Sequence, residues 1–423
     1  MRKYYLPRTN KKLLLWLKKI RMKCNFYSLT LTIIIIFSIT NSCLTSFKSQ
    51  LKEVKYSPKI KPYVEFIEKQ KTSSKDYIIS LFNNYDIVIL CERDHRDITQ
   101  YEFILDLIKD KKFIDSVGNI FIEVGSSSLN PRLNEFLKTQ DLDSVEVNKK
   151  VRFFHRNAGW YPLWEKYNLS YFIKNIYYIN NQLSQGQKLT LYPSDIPFLW
   201  DSIRTVEDYD NCTKSLDYRD SIMANYIITQ FDEIHSEKRK KALIIMNYRH
   251  AFGNYPDGSK PDNVGRYLFE RYKGQVANVY LNSLVVTDDN EYTLIQKGKW
   301  DAAFKVLNNP NIGFNFKDSP FGNDNFDIAP ALEKQNFKYK DIFTGFIFYL
   351  PLEKHLCVVG IPEIISTDGF EQELKRRINI LYTPKTHEDS VKLNNIDLKV
   401  YEIKQEFPYK QIKNYKKEIN KWL

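Results

Sequence analysis

Two short segments hold residue types able to do acid–base chemistry. Ile87-Val88-Ile89-Leu90-Cys91-Glu92-Arg93-Asp94-His95 is an apolar run that meets a carboxylate, with a histidine three residues on. Asn119-Ile120-Phe121-Ile122-Glu123-Val124 is a second run, closed by Glu123. Further along, Pro193-Ser194-Asp195 and Asn247-Tyr248-Arg249-His250 follow two more apolar runs. Imidazoles and carboxylates crowded together shift one another's pKa, and so supply general acids and bases at neutral pH. A carboxylate also orients an imidazole and stabilises its protonated form. Each residue has a plainer reading as well. His95 reads as a surface residue at a helix start, Glu123 as a buried ion-paired acid, and Asp195 as a turn residue. His250 reads as part of a polar loop, and His155 as aromatic packing.

Chemistries with sharper signatures are missing. The chain has no Gly-x-Ser-x-Gly nucleophile elbow, no phosphate-cradling Gly-rich loop, no dinucleotide fingerprint and no His-Glu-x-x-His. What remains suits water activated by a histidine, or a divalent metal held by the same His/carboxylate set.

The elements that must position these residues are strands. Apolar, β-branched runs of this length read as strands buried on both faces, as in a parallel sheet under helices. Strands are expected at Tyr85–Cys91, Asn119–Val124, Lys188–Tyr192, Ala242–Met246, Gln275–Leu281 and Phe343–Leu350, with Leu356–Ile361 extending that region. Helices are expected near Lys61–Lys71, from Asp97-Ile98-Thr99-Gln100 (which has the form of a capping box), across 130–186, from Asp217 to Ile234, and over Asn263–Arg271. Alternating strands and helices indicate one α/β domain with a mainly parallel central sheet flanked by helices. Ligands of such folds bind at the carboxyl ends of the strands, where Glu92, His95 and Glu123 converge.

At 423 residues and 43% hydrophobic content, the chain can bury a large core. Nine of its Lys/Arg and none of its acids lie in residues 1–42, so setting those nine aside reduces the net charge of +12 to +3. The basic balance therefore belongs to the N-terminus and excludes a nucleic-acid partner as its explanation. The apolar stretch Leu29–Thr40, ending in Asn41-Ser42-Cys43, has the form of a lipoprotein export signal, with Cys43 as the lipidated first residue. The same stretch also reads as a single anchor helix, and Met22 as an alternative start. The expected organisation is a signal over 1–42, a tether and leading helix over 43–74, the α/β domain over 75–365, and a peripheral helical extension over 366–423. A lipid anchor implies a place in the bacterial cell envelope, on a periplasmic or outer-membrane face. Past Cys43, the cysteines Cys91, Cys212 and Cys357 support neither a disulfide framework nor a zinc site, and read as buried apolar side chains.

Glu92-x-x-His95 after one strand and Glu123 closing the next resemble the erythromycin esterase-like proteins and their haem-binding ChaN-like and TraB/Tiki relatives. Arg219-Asp220-Ser221-Ile222-Met223 resembles the Arg-Asp-x-x-Met helix of the esterase branch, and His250 falls where that branch has a histidine. Asn263-Val264-Gly265-Arg266-Tyr267-Leu268, then Tyr272-Lys273-Gly274, resembles its Met-Gly-x-x-Leu … Gly segment. The resemblance implies a hydrolase of esters or lactones in which His95 is the base and Glu92 and Glu123 orient it or the water. His250 joins this catalytic set, and Arg219 steadies the substrate carbonyl, with Asp195 and His155 as further substrate contacts. The partner is then a small-molecule substrate or ligand, and no cofactor is required. The TraB/Tiki branch implies a divalent metal instead, and the ChaN-like branch a haem in an apolar pocket near 153–167. Cys91 and Arg93-Asp94 stand where the family has glycine and small residues, which implies a bulkier, more charged loop beside the cleft.

Overall fold

The computed structural model describes residues 56–253, 263–286, 291–328, 336–382, 397–409 and 414–423. The signal segment and Cys43 lie outside them. Among the described residues, no helix is long and apolar enough to cross a membrane.

Six of the seven strands of the central sheet are parallel. β1 is Ile87–Glu92, β2 Asn119–Ser126, β3 Thr190–Asp195, β4 Ala242–Asn247 and β5 Val276–Leu281. Two short strands, β6 (Leu284–Val286) and β7 (Tyr292–Leu294), form a separate antiparallel pair. The order across the main sheet is β3-β2-β4-β1-β5-β9-β8, where β8 is Ile312–Asn315 and β9 is Gly345–Phe348. Only β8 runs antiparallel, at one edge. The mainly parallel α/β fold expected from the apolar runs is therefore present.

β1 shows why such runs make central strands. Its side chains alternate between two cores: Ile87, Ile89 and Cys91 on one face, Val88 and Leu90 on the other. Both faces are dry, so period-2 polarity disappears and the strand reads as continuously apolar. Pro193, which lacks an N–H, is tolerated because β3 is the edge strand opposite β8.

The C-terminal part departs from the expected peripheral helix. β10 (Leu356–Val359) does not extend the central sheet; it pairs antiparallel with β11 (Gln405–Pro408). Val358 N–H donates to the Arg96 carbonyl at 2.8 Å, tying this ribbon to the loop after β1. The helix Phe370–Leu381 buries Arg377, whose guanidinium donates to the Arg156 carbonyl and to Asn157 Oδ1. Residues Tyr56–Leu423 form one compact unit.

Candidate functional site

The carboxyl ends of β3, β2, β4 and β1 lie side by side, and each delivers a polar residue to one place. Register pairs Glu92 with Asn247, and Ser126 with Asp195 across a bulge in β2 that follows Ile122. That bulge brings Glu123 beside Asn247, whose backbone N–H donates to Glu123 Oε2 at 2.8 Å.

Three cationic side chains converge on the other oxygen of Glu123. Arg219 Nη2 lies 3.2 Å from Oε1, His250 Nε2 3.4 Å and His95 Nε2 3.8 Å. Each histidine is held from behind by a carboxylate at its Nδ1: Glu92 Oε2 at 2.8 Å for His95, and Asp220 at 2.9 Å for His250. Nδ1–H donates in both pairs, which directs Nε2 toward Glu123. Asp195 takes Arg219 in a fork, Nε to Oδ1 at 2.7 Å and Nη2 to Oδ2 at 3.0 Å.

Burial divides the cluster into floor and rim. The Glu92 and Glu123 side chains are 1% and 5% exposed, whereas His95 keeps 23% and His250 17%. A ligand arriving from solvent meets nitrogen donors first, with the carboxylates beneath. Burial alone would lower the pKa of His95, but the charges of Glu92 and Glu123 outweigh it and raise it to about 9. His250 is likewise raised to about 9, burial being overcome by Asp220 and Glu123. Burial works to raise Glu123, yet His95, His250 and Arg219 hold it well below the usual carboxylate range. Arg219 Nη1 is also 3.4 Å from His250 Nε2. Arginine cannot accept, so with His250 charged this is a crowding of two donors, and it favours an incoming oxygen between them.

Local sequence explains each placement. Asp97 caps the helix Ile98–Ile108 by accepting from Gln100 N–H. The expected capping box is not completed: the Gln100 side chain turns to the loop after β1 instead. Its Nε2 donates to Glu92 Oε1 at 2.9 Å and to the Asp94 carbonyl at 2.8 Å, while its Oε1 accepts from Arg93 N–H at 2.9 Å. One glutamine thus braces the whole Glu92–His95 turn. On the far side, Gly265 packs so tightly that a Cβ would lie 2.7 Å from the Ala251 carbonyl carbon, next to His250. Asn263 caps the helix Val264–Arg271, which carries Gly265, by accepting from Arg266 N–H at 3.1 Å.

Of the residues singled out from the sequence, the structure brings together Glu92, His95, Glu123, Asp195, Arg219 and His250. Two differ from their expected parts. Asp195 is buried and occupied by Arg219 and the Ile196 N–H, so it positions Arg219 rather than meeting a substrate. His155 is fully buried; its Nε2–H donates to the Trp164 carbonyl at 2.5 Å and its Nδ1 accepts from Ser170 at 2.8 Å. Burial holds its pKa down at about 4, so it is neutral and has no nitrogen left for a ligand. It acts on the site through Trp164, whose indole meets the His95 ring edge-on at 5.4 Å. Of the residues beside Glu92, Asp94 alone adds charge at the site, where it helps to raise the His95 pKa. Cys91 faces the core. Arg93 is buried against Asp97 (2.8 Å), Tyr349, His355 and the Asn282 carbonyl, none of them part of the cluster. Asp94 pairs with Arg96.

Sequence reasoning missed Asp220, Gln100 and Trp164. Asp220 had a signal, adjacency to Arg219 at the start of a helix, where i and i+1 point to different partners. Gln100 had none, because its contacts depend on tertiary placement; Trp164 lay in the aromatic stretch 153–167 read as a pocket wall, but its contact with His95 was not foreseen.

Glu92, His95 and Glu123 each offer one ligand atom, all within 4.8 Å of one another. This trio is a candidate set of ligands for a divalent cation.

No family model matches the chain, and no curated protein matches it. Among solved structures, a mutant of the erythromycin esterase EreC in its open conformation is 11% identical, covering 69% of this chain and 96% of that one, with a TM-score of 0.40. A Bacillus cereus protein is 10% identical over 68% of this chain and 96% of its own, with a TM-score of 0.39. A succinoglycan biosynthesis protein is 10% identical over 63% and 88%, with a TM-score of 0.40. These are similarities of chain path at low identity.

Proposed function

We propose that the strand-end cluster is a hydrolytic site, and that the chain is an esterase-like hydrolase of the cell envelope, tethered through Cys43. The observation that carries the site is the convergence of His95, His250 and Arg219 on one oxygen of Glu123. In the proposed step, the neutral form of His95 takes a proton from water through Nε2, and the water oxygen bonds to the substrate carbonyl carbon. Glu92 stabilises the imidazolium that results. His250 Nε2–H and Arg219 meet the oxyanion, for which positioned donors are the largest single source of rate. The ester C–O bond then breaks, and His95 returns the proton to the leaving alkoxide, giving an acid and an alcohol. An ester or lactone is the substrate class implied by the ordered motifs around Glu92, Arg219 and His250. A panel of aryl, alkyl and lactone esters, run beside His95→Ala and Glu123→Ala, tests this. Turnover that both variants abolish supports the proposal, and variants that match the parent refute it.

The ligand geometry favours a second reading of the same residues. Glu92, His95 and Glu123 bring one imidazole and two carboxylates within 4.8 Å of one another, a ligand set that suits a divalent cation. A bound divalent cation would supply Lewis-acid activation of water there. Activity lost in EDTA and restored by added cation selects this reading; activity indifferent to EDTA selects the first.

A further inference from the structure

Beside the cluster lies a cleft that the proposed chemistry leaves unused. Trp164, edge-on to His95, packs 5.2 Å from Tyr161, and Tyr161 feels the charges of Arg219, Asp195 and Glu123. The same two side chains line a cleft of about 440 Å³, a volume within the usual range of small-molecule sites. Its remaining wall is apolar, made by Leu163 together with Ile378 and Leu374 of the helix Phe370–Leu381, and Tyr401. The charged residues among its lining, Glu165 and Lys166, pair with each other. The cleft therefore offers aromatic and aliphatic surface and no unbalanced charge.

Its walls are held in place. His155 fixes the Trp164 carbonyl, Lys166 forms an antiparallel bridge to Val359, and Ile361 N–H donates to the Tyr401 carbonyl at 2.8 Å. At its edge Tyr382 is 62% exposed, and Val400, next to Tyr401, is 49% exposed. Apolar surface left open around a preformed hollow marks a ligand site.

We infer that this cleft receives the apolar part of a substrate whose ester or lactone carbonyl sits at His95, so that the substrate carries a medium-length aliphatic or aromatic group. The inference rests on the hydrolase reading and gives it a substrate class. Trp164 borders both, meeting the His95 ring edge-on and lining the cleft.

The experiment is a chain-length series of p-nitrophenyl esters, acetyl to decanoyl, on the full chain. In the parent, kcat/KM is expected to rise about fourfold per added methylene until the cleft is filled. Ile378→Asp places a charge in the wall and Ile378→Trp fills the space; each is expected to lower the octanoyl-to-acetyl ratio at least tenfold. A parallel titration with alkyl methyl ketones, which cannot be hydrolysed, reads binding by tryptophan fluorescence. Ketone affinity that grows with chain length in the parent and not in the Ile378 variants, with no ester turned over, upholds the cleft and refutes the hydrolase. Esters turned over with no chain-length preference, and unaffected by either substitution, refute the cleft and leave the hydrolase standing. Ketone affinity independent of chain length also overturns the inference.

Discussion

At the scale of single residues, His95 has to be two things at once. A base must be neutral, yet Glu92 and Glu123 hold its pKa at about 9. Below that value only a minor fraction is free base, so an activity that uses His95 as base rises with pH, about tenfold per unit, until near pH 9. His95→Ala is expected to cost about 10²–10⁴-fold in kcat/KM, the usual worth of a general base. Asp220→Asn keeps the shape but removes the charge behind His250, so the His250 pKa falls and the upper limb of the pH–rate profile moves. An NMR titration of the His250 ring would show that shift, and an unmoved pKa would remove Asp220 from the account. The carboxylates and histidines themselves were legible in the sequence, because each follows an apolar run directly. Of their orienting partners, Asp220 was signalled only by its adjacency to Arg219, and Gln100 reaches the site through a helix whose placement no local pattern encodes.

At the scale of elements, the turn from Glu92 to Asp97 is the part on which the site depends. Gln100 braces it from one side, and the buried Arg93–Asp97 pair from the other, beneath Tyr409 of the C-terminal segment at 5.4 Å from the Arg93 guanidinium. Arg93→Ala leaves Asp97 buried and without its charge partner, and is expected to lower unfolding free energy by about 3–5 kcal/mol in chemical denaturation. Gln100→Ala removes three hydrogen bonds worth about 1 kcal/mol each. It also strips Glu92 of a donor, so its main effect should fall on activity and its pH profile. A Gln100→Ala variant with the activity and pH profile of the parent would contradict this assignment. The central strands were legible because burial on both faces leaves an unbroken apolar run. β8 was not, being four residues at an edge, and β10 was apolar enough to pass for a sheet strand although its partner, β11, lies nearly fifty residues away.

At the scale of the whole molecule, four histidines set opposite limits on stability. His95 and His250 are raised to about 9, so the folded state holds protons the unfolded chain has released above pH 6.5. That stability is fully present below pH 6.5 and is lost as pH rises through about 9. His155 and His355 are buried neutral, lowered mainly by desolvation to about 4 and about 2. The unfolded chain takes up their protons first, so stability is also lost as pH falls below 6.5. Thermal unfolding across pH 4–10 should therefore show a maximum of Tm near pH 6–7; a Tm still climbing at pH 9 would contradict these assignments. Stability and proposed activity then diverge between pH 7 and 9, one falling as the other rises. For the tether, labelling with a fatty acid should mark the parent and not Cys43→Ser, and equal labelling of both would refute it. The C-terminal segment was the least legible part at this scale: its charge and helix-forming residues suggested an appendage, while it contacts Arg93 and Arg156 and supplies β11 to the ribbon tied to the loop after β1.

The central claim is tested most directly by the pH dependence of kcat/KM, from pH 6 to 10, for an aryl ester that the parent hydrolyses, with and without EDTA and beside His95→Ala. The account predicts a rise of about tenfold per unit to a maximum near pH 9, with a fall above it as His250 loses its proton; EDTA leaves this profile in place and His95→Ala abolishes it. A flat or falling profile, a variant as active as the parent, or no ester turned over with or without added cation would contradict it.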